Sequence, residues 1–279
     1  MKTQCFSKYF DNTISYNHLC YHNPDWHEVL PQIHDAFEII FVIKGDLIYT
    51  TGKNTYAVSD NSIILTRPGD YHMLNLNNCN TYERYNIIFD TKMVMESCLS
   101  KLPESVDIIV PKNPAFFLAL FEKFDLYCRV FEGEELSRII SILVEEVFFS
   151  IVHIAASHDD TVSNSTFPSN PILVKVTQYI EKHISENFTT ESLCNELYIS
   201  KSYLLKLFNT HMQMSPKKYI LSRRMIRAQS FLRSGEKPTE IFSSCGFSDY
   251  SSFFRSYKSF FGYSPSEEIH TQKIRKIDH

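Results

Sequence analysis

Glycine is scarce in this chain, with 7 in 279 residues, and there is a single tryptophan. So little glycine, with 22% charged residues, excludes collagen-like and low-complexity architectures and argues against disorder. No basic start followed by an apolar run opens the sequence, so no secretory leader is expected. The apolar stretch from Ile139 to Ile154 is interrupted by Glu145, Glu146 and His153, which argues against a membrane span. The seven cysteines (5, 20, 79, 98, 128, 194, 245) are odd in number and contain no Cys-x-x-Cys pair or nearby histidine at zinc-finger spacing. These absences together lead us to expect a cytosolic protein whose thiols are reduced, small core residues.

What is present is 43% hydrophobic and 14% aromatic content, enough for substantial cores, at a length that suggests two domains. The net charge of -4 hides a division. Residues 171–279 hold 16 Lys and Arg against 10 Asp and Glu, a balance of +6, whereas residues 1–170 hold 12 against 22, a balance of -10. A basic module joined to an acidic one fits a phosphate-contacting domain carried by a sensing domain.

From Phe37 to Phe89 the chain runs in short β-branched and aromatic segments punctuated by turn residues. The expected strands are Glu38 to Ile43, Leu47 to Thr51, Tyr56 to Val58, Ser62 to Thr66 and Tyr85 to Phe89. Their length and spacing point to a small antiparallel barrel or double-sheet jelly roll able to hold one small ligand. His34, Glu38, Arg67, His72 and Tyr82 are the polar-tipped candidates for its interior. His34-x-x-x-Glu38 with Gly45, followed by Pro68-Gly69-x-x-His72, resembles the two cupin motifs, whose histidines and glutamate are ligands in metal-binding cupins. Gln32 stands where that pattern has its first histidine, which counts against a tight metal site. A rim pair that binds nothing, an effector contact and a metal all stay open, and no metal or other cofactor is assigned.

Two helices should follow. Phe117, Leu120, Phe121, Phe124 and Tyr127 lie at helical spacing, as do Leu136, Ile140, Leu143, Val147, Ile151 and Ile154, with Gly133 between the runs. Such a helical hairpin can pack on the barrel, form a dimer interface, or do both. Residues 157–171 are polar and turn-rich and read as a linker between a domain of residues 1–156 and one of residues 172–279.

The second domain says the same thing twice. Residues 199–208 and 247–258 are similar, and subtracting 49 takes Phe253 to Leu204, Arg255 to Lys206, Tyr257 to Phe208, and Ser264-Pro265 to Ser215-Pro216. Thr190, Ser200 and Ser248 are the expected helix caps, and Ser215-Pro216 opens a long connecting helix that ends at Gly235. Two helices joined by a tight turn, the second exposing small polar and basic residues, can place that second helix in a major groove. A pair of such units, at about residues 191–212 and 238–261, could enter successive grooves about 34 Å apart.

The chain from Phe188 to Ile269 resembles the double helix-turn-helix domain of the AraC/XylS family of transcription regulators. The resemblance is carried by Leu193, Leu197, Ile199-Ser200, Ser202-Tyr203-Leu204 and Leu207-Phe208, by Arg224-Met225 and Ala228, and by Gly246-Phe247-Ser248-Asp249, Ser252-Phe253-Phe254-Arg255, Tyr257-Lys258, Phe260-Phe261-Gly262 and Ser264-Pro265. It implies an all-α DNA-binding domain behind a cupin-like effector-binding, dimerising domain. Ser200, Lys201, Ser202, Leu205 and Lys206 would then meet DNA from the first unit, and Tyr250, Ser251, Ser252 and Arg255 from the second. Two departures stand out: Tyr198 and Gln213 occupy positions where the family usually has glycine.

The resemblance implies a non-enzymatic, cytoplasmic activator, binding promoter DNA as a homodimer, contacting RNA polymerase and answering to a small molecule, a sugar being the family-level guess. Two alternatives remain: a cupin-type metal-dependent enzyme with a DNA-binding tail, and a regulator whose front half only dimerises or meets a protein.

Overall fold

A computed structural model describes residues 2–24, 32–52, 54–77, 80–103, 106–156, 166–168 and 170–271. Cys79, residues 157–165 of the expected linker and the tail 272–279 lie outside the described residues.

The chain opens with a hairpin of β1 (Lys2–Phe10) and β2 (Ile14–His22). Next come β3 (Phe37–Lys44), β4 (Leu47–Thr51), β5 (Asn54–Val58), β6 (Ser62–Thr66), β7 (His72–Leu76) and β8 (Thr81–Phe89). A short helix α1 (Glu96–Leu99) and β9 (Ile108–Ile109) lead to α2 (Pro114–Val130), α3 (Gly133–Ala156) and the strand β10 (Thr166–Pro168). The hairpin, β7, β9 and β10 have no counterpart in the series read from the sequence. In β2 the reason is visible, since Asn17 and His18 interrupt the apolar alternation, His18 being held by Asp125 and Glu83.

The strands form a six-stranded sheet, β1-β2-β8-β3-β6-β9, and a four-stranded sheet, β10-β5-β4-β7. No ladder joins the two among the described residues, so the front half is an open double sheet and not the closed barrel that was one of two expected forms. Strand alternation sorts its side chains by face. Ile39 and Phe41 of β3 and Tyr85, Ile87 and Phe89 of β8 pack with Phe117, Phe121 and Phe124 of α2 and Val147 and Phe148 of α3. Their neighbours Ile40, Val42 and Tyr82 face the second sheet, against Leu47, Tyr49 and Leu74. Each such fully buried side chain contributes about 1.5–3 kcal/mol. By length and composition α3 could cross a membrane, contrary to the sequence reading, but here Ile140, Val144, Val147 and Ile151 are buried on the sheet. Thr166–Pro168, read as linker, pairs instead with β5.

The second half is helical: α4 (Pro171–Lys182), α5 (Thr190–Glu196), α6 (Lys201–Met212), α7 (Pro216–Arg233), α8 (Pro238–Ile241), α9 (Tyr250–Phe261) and α10 (Pro265–Thr271). Helix α7 serves two cores. Tyr219 and Ile220 near its start pack with Val176, Leu204 and Phe208, and Met225, Ala228 and Leu232 near its end pack with Ile241, Phe253 and Tyr257.

Two caps differ from expectation. Thr189, not Thr190, caps α5 through a reciprocal box with Ser192, because the Thr190 side chain is buried. Asp249, not Ser248, caps α9, accepting from the Ser252 N–H at 2.8 Å.

Candidate functional site

Helices α6 and α9 are both 12 residues long and start at Lys201 and Tyr250. Ser200 caps α6 by accepting from the Tyr203 N–H at 3.1 Å, as Asp249 does for α9. Both end in a left-handed residue, Gln213 at φ 47° and Gly262 at φ 86°. Ser200, Lys201, Ser202, Leu205 and Lys206 are exposed on the first unit, and Ser251 and Arg255 on the second. Lys201 reaches back to Glu191 of α5 at 2.5 Å, and Arg255 donates to Ser252 Oγ at 3.4 Å. Tyr250 and Ser252 are half-buried, and the Tyr250 ring packs on Phe242, Phe253 and Phe254, tying it to the core. The sequence reading did not place Tyr203, exposed beside Ser202, on this face; Tyr198, noted there as standing where glycine is usual, is 96% exposed in the turn at φ 52°.

Arg224 of α7 links the two units. Its guanidinium lies 5.5 Å from the Phe188 ring and 5.8 Å from the Phe247 ring, and it donates to the Glu186 carbonyl at 2.7 Å. Gly246, at φ +76°, lets the second unit's turn approach, since a Cβ there would stand 2.6 Å from the Ile184 carbonyl oxygen. The turn of the second unit is thus seated against the segment between α4 and α5, which leads into the first unit.

The front half holds a second cluster. His34 and His72 bring Nε2 to 3.5 and 3.0 Å from Glu38 Oε2, while Asn86 donates to Glu38 Oε1 at 2.9 Å. The His34 Nδ1 lies 3.2 Å from the Ala36 carbonyl and the His72 Nδ1 3.1 Å from that of Asp70. A carbonyl only accepts, so each Nδ1 carries a proton and each Nε2 points at the carboxylate. Burial raises the Glu38 pKa, but the adjoining imidazoles outweigh it and hold the group well below the usual carboxylate range. For His72, burial lowers the value and contact with Glu38 more than restores it, so the net shift is upward.

Of the other expected interior residues, Arg67 is engaged elsewhere, paired with Asp107 at 3.1 Å and donating to the carbonyls of Pro103 and Val106. Tyr82 faces the inter-sheet space but packs with Tyr21. The residue missed there is Arg84. Strand alternation puts it on the Tyr82 face, 4% exposed, with its guanidinium 5.8 Å from the Tyr82 ring and its Nε without a hydrogen-bond partner among the described residues. It has no carboxylate ion-pair partner among the described residues. Asn17 and Asn86 each add a buried amide oxygen with no hydrogen-bond partner among the described residues.

The halves meet at a seam. Tyr71 donates to the Met212 carbonyl at 2.9 Å, and Arg233 donates to the Asp35 carbonyl at 3.2 Å with the Asp35 carboxylate 3.8 Å away. Arg233 also pairs at 2.8 Å with Glu268, which is fully buried and accepts from Tyr257, Tyr263 and Gln229.

The comparisons with known proteins follow the same division. A family model described as "AraC-like ligand binding domain" matches residues 16–152, and one described as "Helix-turn-helix domain" matches residues 193–269. The Msm operon regulatory protein of Streptococcus mutans is 31% identical over 134 residues, 48% of this chain and 45% of that protein, so the match spans less than half of that relative. The HTH-type transcriptional activator RhaS of Escherichia fergusonii is 23% identical over 246 residues, covering 84% of this chain and 85% of that one. A crystal structure of an apo ToxT variant from Vibrio cholerae covers 94% of this chain and 99% of its own at 16% identity, with a TM-score of 0.39. A ligand-binding module followed by a helix-turn-helix module, in a chain that aligns with a named regulator over most of both lengths, identifies this protein as a member of the AraC-type transcriptional regulators, DNA-binding proteins with an N-terminal ligand-binding domain.

Proposed function

We propose that this chain is a cytoplasmic, effector-responsive activator that places α6 and α9 in successive major grooves of promoter DNA. The observation that carries this reading is the pairing itself: two capped helices of equal length, 49 residues apart, mounted on the two cores of α7 and clamped by Arg224. Ser200, Ser202, Leu205 and Lys206, then Ser251, Ser252 and Arg255, are the residues proposed to meet DNA, with Lys201 free to do so once it leaves Glu191. Lys206 and Arg255 supply charge at matching positions, and Leu205 an apolar contact for a thymine methyl group. Tyr250 belongs to the same proposal through its hydroxyl, since its ring is packed.

The effector is proposed to enter between the two sheets. The Arg84 Nε and the amide oxygens of Asn17 and Asn86 are buried polar atoms without hydrogen-bond partners among the described residues, and such atoms are costly unless a ligand or water satisfies them. They suit a small polar molecule carrying a negative group. Ile142 and Phe149 of α3, 50% and 56% exposed and two helical turns apart, offer a face for homodimerisation. Contact with RNA polymerase completes the reading. We assign no catalytic residue.

Footprinting with the full-length protein on DNA upstream of its own gene tests the reading. Two protected major-groove segments one helical turn apart are expected. Arg255→Ala should weaken specific binding by roughly 1–3 kcal/mol and relax preference at one base pair, with Lys206→Ala doing the same in the other segment. Binding that ignores sequence at moderate salt would refute it.

A further inference from the structure

The Nε2 atoms of His34 and His72 converge on one oxygen of the Glu38 carboxylate. With each Nδ1–H committed to a backbone carbonyl, a neutral ring turns a bare nitrogen toward an oxygen that also only accepts. The three atoms are 3.0 and 3.5 Å apart across the carboxylate and all lie within 4.8 Å of one another, yet none forms an aligned hydrogen bond, and all three are buried. Contacts of that length match the ligand–ligand edges around one ion bound at about 2.0–2.2 Å. The outer supports are also present: a carbonyl behind each imidazole and Asn86 behind the carboxylate. Gln32, the residue that argued against a metal, is bridged through its backbone to His72 and so holds the His34 segment beside it.

We infer that His34, Glu38 and His72 bind one divalent first-row transition-metal ion, and that this ion sets the contact between the front half and the DNA-binding helices. Two imidazoles and one carboxylate suit zinc, iron or manganese better than calcium or magnesium, and leave positions for water or for a donor atom of an effector. The route to the helices is short. His72 is flanked by Tyr71, bonded to the Met212 carbonyl at the end of α6, and by Met73, packed in the same core as α6 and α7. His34 is flanked by Ile33, packed against the α7 cores, and by Asp35, bonded to Arg233. An ion that fixes both imidazoles therefore fixes both contacts. The regulatory part rests on the reading of the chain as a DNA-binding regulator; ion binding does not.

Full-length protein stripped with a chelator and titrated with Zn²⁺, Mn²⁺ and Co²⁺ tests the inference. One-to-one binding is expected, and the Co²⁺ complex should show no thiolate charge-transfer band, which separates this site from the cysteines. Asn86→Ala should lose roughly 10–100-fold in affinity, with Glu38→Gln and His72→Ala losing more, at unchanged far-ultraviolet circular dichroism. Asn86→Ala keeps the test decisive if a ligand variant fails to fold. Hydrogen exchange should slow at residues 210–214 and 231–235 when the ion binds. No stoichiometric binding, or binding untouched by all three substitutions, would overturn the site. Binding without any change at those two segments would overturn the coupling while leaving DNA recognition to its own footprinting test.

Discussion

The Tyr71 hydroxyl donates to the carbonyl of Met212, 141 residues away, at 2.9 Å, so a residue of the sensing half satisfies one of the carbonyls that the end of α6 cannot satisfy itself. Tyr71 is 2% exposed and its ring stays edge-on to Tyr219. Replacing it with Phe keeps that packing and strands a buried acceptor, so Tyr71→Phe should cost about 1–3 kcal/mol in urea denaturation. A loss near zero would mean that water takes over the carbonyl.

Tyr198 and Gln213 stand at φ 52° and 47°, a left-handed conformation that costs a non-glycine residue roughly 1–2 kcal/mol. The Tyr198 side chain is 96% exposed and loses little on removal. Tyr198→Gly and Gln213→Gly should each stabilise the protein by about 0.5–1 kcal/mol once the greater freedom of glycine in the unfolded chain is subtracted. The check is a rise in melting temperature for each variant and an additive rise for the pair.

Gly246 is the reverse case. An added methyl would meet the Ile184 carbonyl at 2.6 Å and the Arg224 Nε at 2.7 Å, at a φ of +76°. Gly246→Ala should destabilise by more than the roughly 1–3 kcal/mol of backbone strain alone. Gly235→Ala, at φ +94° with nothing within 4 Å, supplies the comparison, because it carries the strain without the collision. Equal losses in the two would remove the packing role given to Gly246.

Asp125 accepts from Tyr16 at 2.7 Å, from Tyr85 at 3.1 Å and from Ser7, with His18 Nδ1 at 2.8 Å. Burial raises its pKa, but the bonds to His18, Ser7 and Tyr16 prevail and hold it at about 2. The unfolded chain, with an ordinary aspartate value near 3.9, takes up its proton first as the pH falls. The stabilisation is therefore complete above about pH 4 and drains away toward pH 2. Asp125→Asn should lower stability at neutral pH and flatten the loss over that window, as followed by denaturant midpoints at successive pH values.

The DNA-binding half was legible to the extent that its information is local. Ser200 and Ser215-Pro216 cap helices within their own turns, and the apolar positions of α6, α7 and α9 recur at helical spacing. Where adjacent residues could both cap, as at Thr189 and Thr190 or Ser248 and Asp249, the cap moved by one position; burial of Thr190 decides the first case, and in the second the helix begins at Tyr250, which puts Asp249 at the capping position. The strands Leu47–Thr51 and Ser62–Thr66 were read to the residue, since turn signals bound them on both sides. The β1–β2 hairpin was not, because its polar positions serve partners more than a hundred residues away, as Ser7 and Tyr16 serve Asp125.

The sequence by itself determined a doubled helix-turn-helix unit, a basic second half, a sheet-built first half and the residue types of a His-Glu-His cluster, because capping, periodicity and charge act over a few residues. Only the tertiary structure decided that His34, Glu38 and His72 converge while Arg67 turns away to Asp107, that Arg84 is buried with no carboxylate ion pair among the described residues, and that Tyr71 and Asp35 reach the DNA-binding helices. The reason is one of distance along the chain. Each of those arrangements depends on which strands lie side by side and which faces the alternation turns inward, and that is fixed by the burial of both sheets together.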